Sequence, residues 1–258
     1  EGYLVLMFDD ITGLIRAQKE SAWGEVARRL AHEIKNPLTP IQLSAERLRR
    51  KYLGKVEKDE VLDRATHTII QQVEAMKGMV NDFSDYARPS VFNPRPLAFE
   101  QLLKDVLGLY ASERVLQCNL DAGETLVDAD AVKLRQVLHN LIKNALEAVV
   151  GVDSPLVRIE TSVHEHTGCH FVQAKIEDNG AGFDPQMLGR VFEPYITSKQ
   201  KGTGLGLAIV RKIIDEHEGG IWVANAASGG AVVILRLPLS GKHDACRPMP
   251  APTFAKEE

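Results

Sequence analysis

Two apolar patterns with a seven-residue repeat place the strongest constraint on how the N-terminal third of the chain can fold. Their principal positions are Ala27, Ile34, Ile41 and Leu48, followed after Gly54 by Leu62, Ile69, Met76 and Phe83. A repeat of seven keeps apolar side chains on one stripe of a helix, as in coiled coils and helical bundles. Because only a short segment around Gly54 separates the patterns, we predict two amphipathic helices joined as a hairpin.

This hairpin carries more apolar surface than two helices can bury between them. Further apolar residues fill the intermediate positions of both stripes, namely Leu30, Ala31, Leu38, Ala45, Val73, Val80 and Ala87. Helical hairpins of this kind complete their core by pairing into a four-helix bundle. We therefore predict a homodimer through the hairpin, with a monomeric hairpin packed on its own neighbouring domain as the alternative. Pro37 lies inside the first helix, where we expect a kink.

The rest of the chain has a mixed pattern. Arg88-Pro89 and the Pro94/Pro96 pair predict a linker over residues 89–97. Helical patterns follow at about 98–112, 130–150 and 204–218, and strand-like runs at Val157–Val163, Phe171–Glu177, Gly220–Asn225 and Ala231–Leu237. Such an order is typical of an α+β sandwich with helices on one face of a mixed sheet. The chain is thus predicted to be multi-domain, an all-α helical hairpin followed by this sandwich.

The limits of the predicted domains follow from changes in composition. Residues 1–13 contain a short apolar run that resembles the last strand of a larger domain, so we interpret the chain as a fragment. The helical region covers residues 14–88 and the sandwich residues 98–240. Residues 241–258 are rich in Pro, Lys, Glu and Ala, and we predict that this tail is disordered.

Charge and cysteine usage exclude several classes of protein. A net charge of −4 gives no reason to expect nucleic-acid binding. No apolar run approaches the ~20 residues that cross a bilayer. The three cysteines, Cys118, Cys169 and Cys246, are far apart and lack CxxC spacing. We therefore expect neither a disulfide scaffold nor a zinc site, and a reduced setting.

His32 lies on the first helix in the run His-Glu-Ile-Lys-Asn-Pro-Leu at residues 32–38. With Ile34, Leu38 and Ile41 placed in the bundle core, His32 and Asn36 share a face that points outward. An exposed imidazole has a pKa of ~6.5, so at neutral pH it offers a nucleophilic nitrogen. Glu33 can take the ring proton, and Asn36 can bind a water or a phosphoryl oxygen. A lone histidine would be an ordinary solvated residue, but this context makes His32 a candidate phospho-acceptor.

Asn140 and Asn144 stand four residues apart on a predicted helix, so their side chains point to one side. Side-chain carbonyl oxygens are suitable ligands for Mg²⁺, which prefers few protein ligands together with waters and phosphates. Lys143 adds positive charge beside them. Asparagine is a poor helix former. Two asparagines on one helix face therefore indicate a functional role rather than ordinary surface residues.

Two glycine clusters indicate the remainder of a nucleotide site. Asp178 follows an apolar strand and can accept a hydrogen bond from an exocyclic amino group such as adenine N6, while Gly180 and Gly182 let backbone approach a flat base. The second cluster opens a helix whose N–H groups favour phosphate; it comprises Gly202, Thr203, Gly204, Leu205 and Gly206. Each cluster alone is more typical of a turn, and neither matches a P-loop.

Residues 184–203 lie between the two clusters and resemble a mobile lid that closes over ATP. Lys199 and the hydroxyl groups of the lid are within plausible reach of the phosphates. Phe192 and Tyr195 would anchor the lid or the bundle, or belong to an ordinary core. Lys199 is therefore a candidate nucleotide-binding residue.

In order and spacing these motifs resemble the catalytic half of a sensor histidine kinase. The boxes of that family fall at His32, Asn140–Asn144, Asp178–Gly182, Phe192–Tyr195 and Gly202–Gly206. The resemblance covers about residues 14–240. It implies a Bergerat-type ATP-binding fold that binds ATP and Mg²⁺, with Asn144 as the chief Mg²⁺ ligand and Asp178 as the adenine contact.

The same resemblance implies roles on the first helix and a partner. His32 would be phosphorylated with Glu33 as base, and Asn36 would position water in a phosphatase reaction. The segment around His32 looks most like that of NtrY-type nitrogen-regulation kinases, whose partner is an NtrX-type response regulator. Residues 1–13 resemble the end of a PAS sensor domain. The relatives are inner-membrane proteins that hold this portion in the cytoplasm, so any membrane attachment would come through N-terminal regions of the parent.

Two other functions remain open at this point. An ATPase of the gyrase or heat-shock clamp type shares the pocket fold, but such proteins commonly carry a glutamate where Asn140 stands. A degenerate kinase could serve as a dimeric docking scaffold, yet every pocket residue is intact here. Both alternatives would leave His32 without phosphate.

Overall fold

A computed structural model of the protein describes residues 31, 34–53, 59–87, 92–199, 203–241, 246 and 248–253. The chain divides into two compact units, Glu1–Ser90 and Val91–Glu258. Among the described helices, none is long and apolar enough to cross a membrane. The segment predicted to be a sensor remnant, residues 1–13, and the predicted hairpin turn at Gly54 lie outside the described residues.

The first unit contains two long helices, α1 at residues 34–52 and α2 at Asp59–Ala87. Polar contacts join them: Arg49 Nε lies 2.8 Å from Asp63 Oδ1, and Lys77 Nζ donates to Gln42 Oε1 at 2.6 Å. Among the described residues of this unit, the buried side chains are Ala31, Leu38, Ala45, Thr66, Val73 and Val80. The predicted pair of amphipathic helices is therefore confirmed, with the intermediate heptad positions forming the buried seam.

The principal heptad positions form a second stripe that a single chain leaves exposed. Ile34 and Ile41, predicted to be core residues, are 40% and 46% exposed, and Ile69 and Met76 are similarly open. Two helices of one chain bury only the seam between them, so the placement of Ile34 and Ile41 in the core of a four-helix bundle stays a prediction. Pro37 falls within a stretch that is helical from residue 34 onward, and the kink expected there stays a prediction.

The second unit contains seven strands, three α-helices and a short 3₁₀ helix at Leu188–Arg190 among its described residues. In chain order the strands and α-helices are β1 (Arg95–Ala98), α3 (Phe99–Gly108), β2 (Leu116–Leu120), β3 (Leu126–Ala129), α4 (Ala131–Ala148), β4 (Val157–His166), β5 (Cys169–Asp178), α5 (Gly206–Glu216), β6 (Gly220–Asn225) and β7 (Ala231–Pro238). A five-stranded sheet has the order β2-β4-β5-β7-β6, in which only β2 and β4 run parallel. β1 and β3 pair separately.

The core of this unit lies between the sheet and its helices. α4 packs against β5 and α5 against β6, and the two helices also contact each other. Alternate residues of β5 face this layer, with Val172, Ala174 and Ile176 buried. The predicted α+β sandwich with a mixed sheet is confirmed, and all four predicted strands and three predicted helices are present.

The predicted linker at residues 89–97 was wrong from Arg95 onward, where β1 begins. The linker was predicted from the Pro94/Pro96 pair, and proline cannot donate to a β ladder. β1 belongs to a two-stranded sheet, in which each strand is an edge and tolerates proline. β1, β2 and β3 are only 4 or 5 residues long and mostly not buried, so they lack an apolar signature.

The C-terminal segment also departs from expectation. Cys246 forms a disulfide bond with Cys169 at the start of β5, and the pair packs with Phe171 and Met249. The Arg236 guanidinium donates to the carbonyl oxygen of Pro250. The prediction of a disordered tail at 241–258 was therefore wrong for Cys246, Met249 and Pro250. The expectation that the cysteines stay unpaired was wrong for this pair, although Cys118 is free, and the reduced setting stays a prediction.

Reduction of the disulfide should lower the thermal midpoint of the purified protein by on the order of 10 °C. The bond closes a loop with a sequence separation of 77, which is worth about 4 kcal/mol in the chain-entropy treatment. Thermal unfolding with and without a phosphine reductant measures the shift. A Cys118→Ser variant should show the same shift, and an equal midpoint in both conditions would contradict the bond.

His217 is a buried residue just beyond α5, and it ties that helix to the start of α4. Its Nδ1 lies 2.7 Å from the carbonyl oxygen of Ile213, and its Nε2 accepts from Asp130 N–H at 3.0 Å. Asp130 in turn caps α4 by accepting from Val132 N–H and Lys133 N–H. The imidazole must therefore be neutral, with its proton on Nδ1. Burial lowers the pKa of His217 below the usual value.

This arrangement predicts a stability that falls in mild acid. Because the folded-state pKa of His217 lies below its unfolded value of 6.5, the unfolded chain binds the proton first. The free energy of unfolding is thus fully present above pH 6.5, decreases as the pH falls below it by at most about 1.4 kcal/mol per pH unit, and levels off below the folded pKa. Urea unfolding across this range should show the slope in His67→Gln, an exposed control, and lose it in His217→Gln.

Candidate functional site

Asp178 ends β5 and is buried at the floor of the candidate site. Its Oδ1 accepts from Gly180 N–H at 2.9 Å and from Ala231 N–H at 3.2 Å. Burial raises the pKa of this carboxyl, while the two backbone donors and Lys199 act in the opposite direction. The two N–H groups fix the carboxylate through one oxygen, which leaves Oδ2 to accept from a ligand.

The glycines that follow Asp178 let the loop after β5 pack closely against its neighbours at the floor of the site. A Cβ placed on Gly180 would lie 2.4 Å from the carbonyl oxygen of Ala148 at the end of α4. One on Gly182 would lie 2.8 Å from Asn225 Oδ1. Only glycine therefore allows the β5 loop to lie against α4 and β6. The approach of this backbone to a flat base, for which the glycines were singled out in the sequence, stays a prediction.

α4 forms one wall of the site. Asn140 and Asn144 are both half-buried on this helix, while Lys143 is exposed. Asn144 Oδ1 accepts from Lys199 Nζ at 3.1 Å, and the same ammonium lies 2.6 Å from Glu147 Oε2. Lys199, predicted to belong to the lid, therefore lies against the asparagine face of α4.

The second glycine cluster brings the start of α5 to the same place. A Cβ on Gly206, the first residue of α5, would lie 4.0 Å from Asn144 Nδ2. Gly204 has a φ of +67° and accepts through its carbonyl oxygen from Tyr195 N–H at 3.0 Å, which closes the base of the lid. Thr203 Oγ1 accepts from Leu205 N–H at 3.3 Å. No side chain caps α5, so its first N–H groups remain available to an anion.

Asn144 on α4 fits a magnesium ligand. Its Oδ1 is a hard oxygen donor of the kind that Mg²⁺ takes in proteins. It already contacts a cation, since the Lys199 ammonium lies 3.1 Å from it and 2.6 Å from Glu147 Oε2. Elsewhere, the described residues include no cluster of three His, Cys, Asp or Glu side chains that could hold a metal.

Comparison with known families matches both units. Residues 22–90 match the family described as His Kinase A (phospho-acceptor) domain, and residues 129–241 the family described as Histidine kinase-, DNA gyrase B-, and HSP90-like ATPase. A curated relative, nitrogen regulation protein NtrY of Azorhizobium caulinodans, is 42% identical over 97% of this chain and 33% of its own length.

The chain belongs to the sensor histidine kinase family.

Other relatives agree with this assignment. A putative sensor histidine kinase NtrY-like of Rickettsia bellii is 35% identical over 88% of this chain and 37% of its own length. The chain spans about a third of the length of these curated kinases. Its two matched regions are the ones that an ATP-dependent histidine kinase requires, a phospho-acceptor domain and an ATPase domain.

Solved structures of histidine kinases share the architecture. The kinase ThkA in complex with the response regulator protein TrrA has a TM-score of 0.61 and 28% identity, covering 89% of this chain and 68% of that one. Full-length ShkA in complex with AMPPNP has a TM-score of 0.65 at 24% identity, covering 83% of this chain and 46% of that one. The second likeness shows the fold alone.

The described members of the three motifs lie on neighbouring elements of the second unit. They are Asn140, Lys143 and Asn144 on α4, Asp178, Gly180 and Gly182 at the end of β5 and just after it, Lys199 in the predicted lid, and Thr203, Gly204, Leu205 and Gly206 at the start of α5. Contacts join Lys199 to Asn144, and Gly180 lies against the end of α4. His32, Glu33 and Gly202 lie outside the described residues. Asn36 lies exposed on α1. Tyr195, considered as a core residue, is 63% exposed.

Sequence reasoning missed three residues that shape the candidate site. Asn179 holds the start of β4, since its amide group accepts from Leu156 N–H at 2.9 Å and donates to the carbonyl oxygen of Ser154 at 2.7 Å. Asn225 holds Phe183 by accepting from its N–H at 2.7 Å and donating to its carbonyl oxygen at 2.8 Å. Glu147 could have been found, because a position three after Asn144 shares its helix face.

Proposed function

We propose that this chain is the catalytic portion of a kinase that transfers the γ-phosphoryl group of ATP to His32. A ring nitrogen of His32 forms the new N–P bond, the bond to the β,γ-bridging oxygen breaks, and ADP leaves. Glu33 takes the ring proton. The phosphoryl group then passes to an aspartate of a response regulator, and Asn36 positions the water in a phosphatase reaction on that regulator.

The observation that supports this proposal best is the cradle around Asp178. A buried carboxylate held through one oxygen leaves the other to accept from adenine N6. Asn144, with Asn140 and Lys143 beside it, faces the open start of α5, where phosphates are favoured. In the proposed site Lys199 and the cluster Gly202–Gly206 contact the phosphates, and Asn144 holds Mg²⁺.

These residues contribute binding and position. Mg²⁺, when bound, offsets the negative charge of the phosphates. Phosphoryl transfer has a loose transition state with charge on the equatorial oxygens, so positioning and charge neutralisation supply most of the catalysis. Asp178 orients the base, and the N–H groups of α5 and Lys199 orient the phosphates.

The proposed partners are a second copy of the chain and a response regulator. The exposed apolar stripe of α1 and α2 is the surface through which two hairpins would form a four-helix bundle. ThkA, a structural neighbour, forms a complex with a response regulator. The resemblance to NtrY kinases makes an NtrX-like regulator and a role in nitrogen regulation the specific proposal.

The domain limits proposed for this function remain those of the sequence, apart from the strand and C-terminal segment corrected above. Residues 1–13 are proposed as the end of a PAS sensor domain, 14–88 as the signalling helix and dimerisation hairpin, and 98–240 as the ATP-binding domain. We place this portion in the cytoplasm, with the parent protein in the inner membrane.

Incubation with γ-labelled ATP and Mg²⁺ distinguishes this function from its rivals. The kinase predicts protein-bound label that is acid-labile, alkali-stable and absent in His32→Gln. Release of labelled phosphate without protein-bound label would favour an ATPase clamp. The absence of both protein-bound label and released phosphate would favour a docking scaffold. The result expected for the clamp and the result expected for the scaffold would each overturn the proposal.

A further inference from the structure

Glu147 is a carboxylate inside the candidate site to which the proposed function gives no role. It lies on α4 three residues after Asn144, on the same side of the helix. Its Oε2 is 2.6 Å from Lys199 Nζ, and that ammonium also donates to Asn144 Oδ1 at 3.1 Å. One lysine of the lid therefore bridges an amide oxygen and a carboxylate on α4.

We propose that Glu147 is a positioning residue that holds Lys199 on Asn144 as a latch, which Mg²⁺ and its nucleotide must displace. The inference rests on the proposed nucleotide site. An ammonium group and Mg²⁺ both seek hard oxygen acceptors, so they compete for Asn144 Oδ1. Glu147 sets the outcome, because its charge makes the contact of Lys199 with α4 more favourable.

The size of the effect follows from the exposure of the pair. Lys199 and Glu147 have side chains that are 42% and 44% exposed. An ion pair with this exposure shifts an equilibrium by a factor of about two to five. A ligand that binds only the unlatched form has its apparent affinity reduced in proportion to the latched fraction. Removal of the Glu147 charge should therefore tighten Mg²⁺-nucleotide binding about two- to fivefold.

Direct electrostatic repulsion between Glu147 and the nucleotide would also make binding tighter when the Glu147 charge is removed. The Glu147 carboxylate would repel phosphates directly, and Lys143 Nζ lies 3.9 Å from Glu147 Oε1. A double-mutant cycle with Lys199 separates the two routes. The latch acts only through Lys199, whereas repulsion acts whether or not Lys199 is present.

The experiment measures the Kd of AMPPNP with excess Mg²⁺ by calorimetry for the wild-type chain, Glu147→Gln, Lys199→Met and the double variant. We expect Glu147→Gln to bind about two- to fivefold tighter than wild type, and the same change to have no effect in the Lys199→Met background. Glu160→Gln is the matched control, since Glu160 is 39% exposed and lies 3.9 Å from Lys175, on the sheet and away from α4. Its Kd should equal that of wild type.

Magnesium dependence supplies a readout that a purely structural role would not change. With excess EDTA the difference in Kd between wild type and Glu147→Gln should shrink, because Mg²⁺ no longer competes with Lys199 for Asn144 Oδ1. The latch would be overturned if Glu147→Gln tightened nucleotide binding equally with Lys199 present and in the Lys199→Met background. It would also be overturned if the difference in Kd between wild type and Glu147→Gln were as large in EDTA as with Mg²⁺. Equal binding by wild type and Glu147→Gln would also overturn the latch but leave the proposed function intact. Absence of binding by the wild-type chain would overturn the proposed function itself.

Discussion

Gly230→Ala should destabilise the second unit by about 3 kcal/mol or more. Gly230 is buried immediately before β7 and has a φ of +93°. A Cβ there would lie within 3 Å of three backbone atoms of Asp178 and Asn179. Relief of this overlap must push the strand away from Asp178, so nucleotide binding should weaken together with stability. Urea unfolding of the full chain measures the change.

Gly229→Ala is the matched control for this prediction. Gly229 has nearly the same backbone conformation, with a φ of +91°, but nothing lies within 4 Å of a Cβ placed on it. Its substitution should cost only the strain of a left-handed alanine, about 1–2 kcal/mol. Equal losses at both positions would show that backbone conformation alone matters and that contact with Asp178 does not.

Asp178→Asn should raise the Kd for ATP about 100-fold while leaving the fold intact. The amide keeps an oxygen for Gly180 N–H and Ala231 N–H, so the floor of the site is preserved. Its NH₂ group then takes the place of Oδ2 and meets the amino group of adenine, donor against donor. Calorimetry with AMPPNP measures the loss, and circular dichroism checks the fold.

A change of base provides a stricter form of the same test. Inosine triphosphate carries a carbonyl oxygen where ATP has its amino group. The wild-type chain should prefer ATP, whereas Asp178→Asn can donate to that oxygen and should lose or reverse the preference. Asp121→Asn, an exposed carboxylate on another loop, should retain the wild-type preference. An unchanged preference in Asp178→Asn would contradict the adenine contact.

The elements with strong periodic patterns could be predicted from the sequence, and the short ones could not. β4, β5, β6 and β7 carry apolar runs with one face buried, and their predicted positions agree within a few residues. β1, β2 and β3 are short strands whose pairing depends on distant partners, such as Leu97 with Val127. No local pattern encodes such a partner.

The same distinction holds for the site. Asn140, Asn144 and Asp178 stand in local motifs with recognisable spacing, so the sequence alone could name them as candidates. The contact between Asn225 and Phe183 joins residues 42 apart, and the disulfide joins residues 77 apart. Neither has a signature in the sequence because both arise from the tertiary path of the chain. The heptad pattern identified the hairpin. Only the structure shows which heptad positions are buried between α1 and α2 and which form the exposed stripe.

The most direct test of the central claim is mass spectrometry of the tryptic peptide that covers residues 30–35 after incubation of the chain with ATP and Mg²⁺. The peptide is analysed under neutral conditions that preserve phosphohistidine. The account predicts an added phosphoryl group on His32, and none on this peptide when ATP is omitted. Nucleotide binding without any phosphoryl group on His32, in a dimer formed through the hairpin, would contradict it.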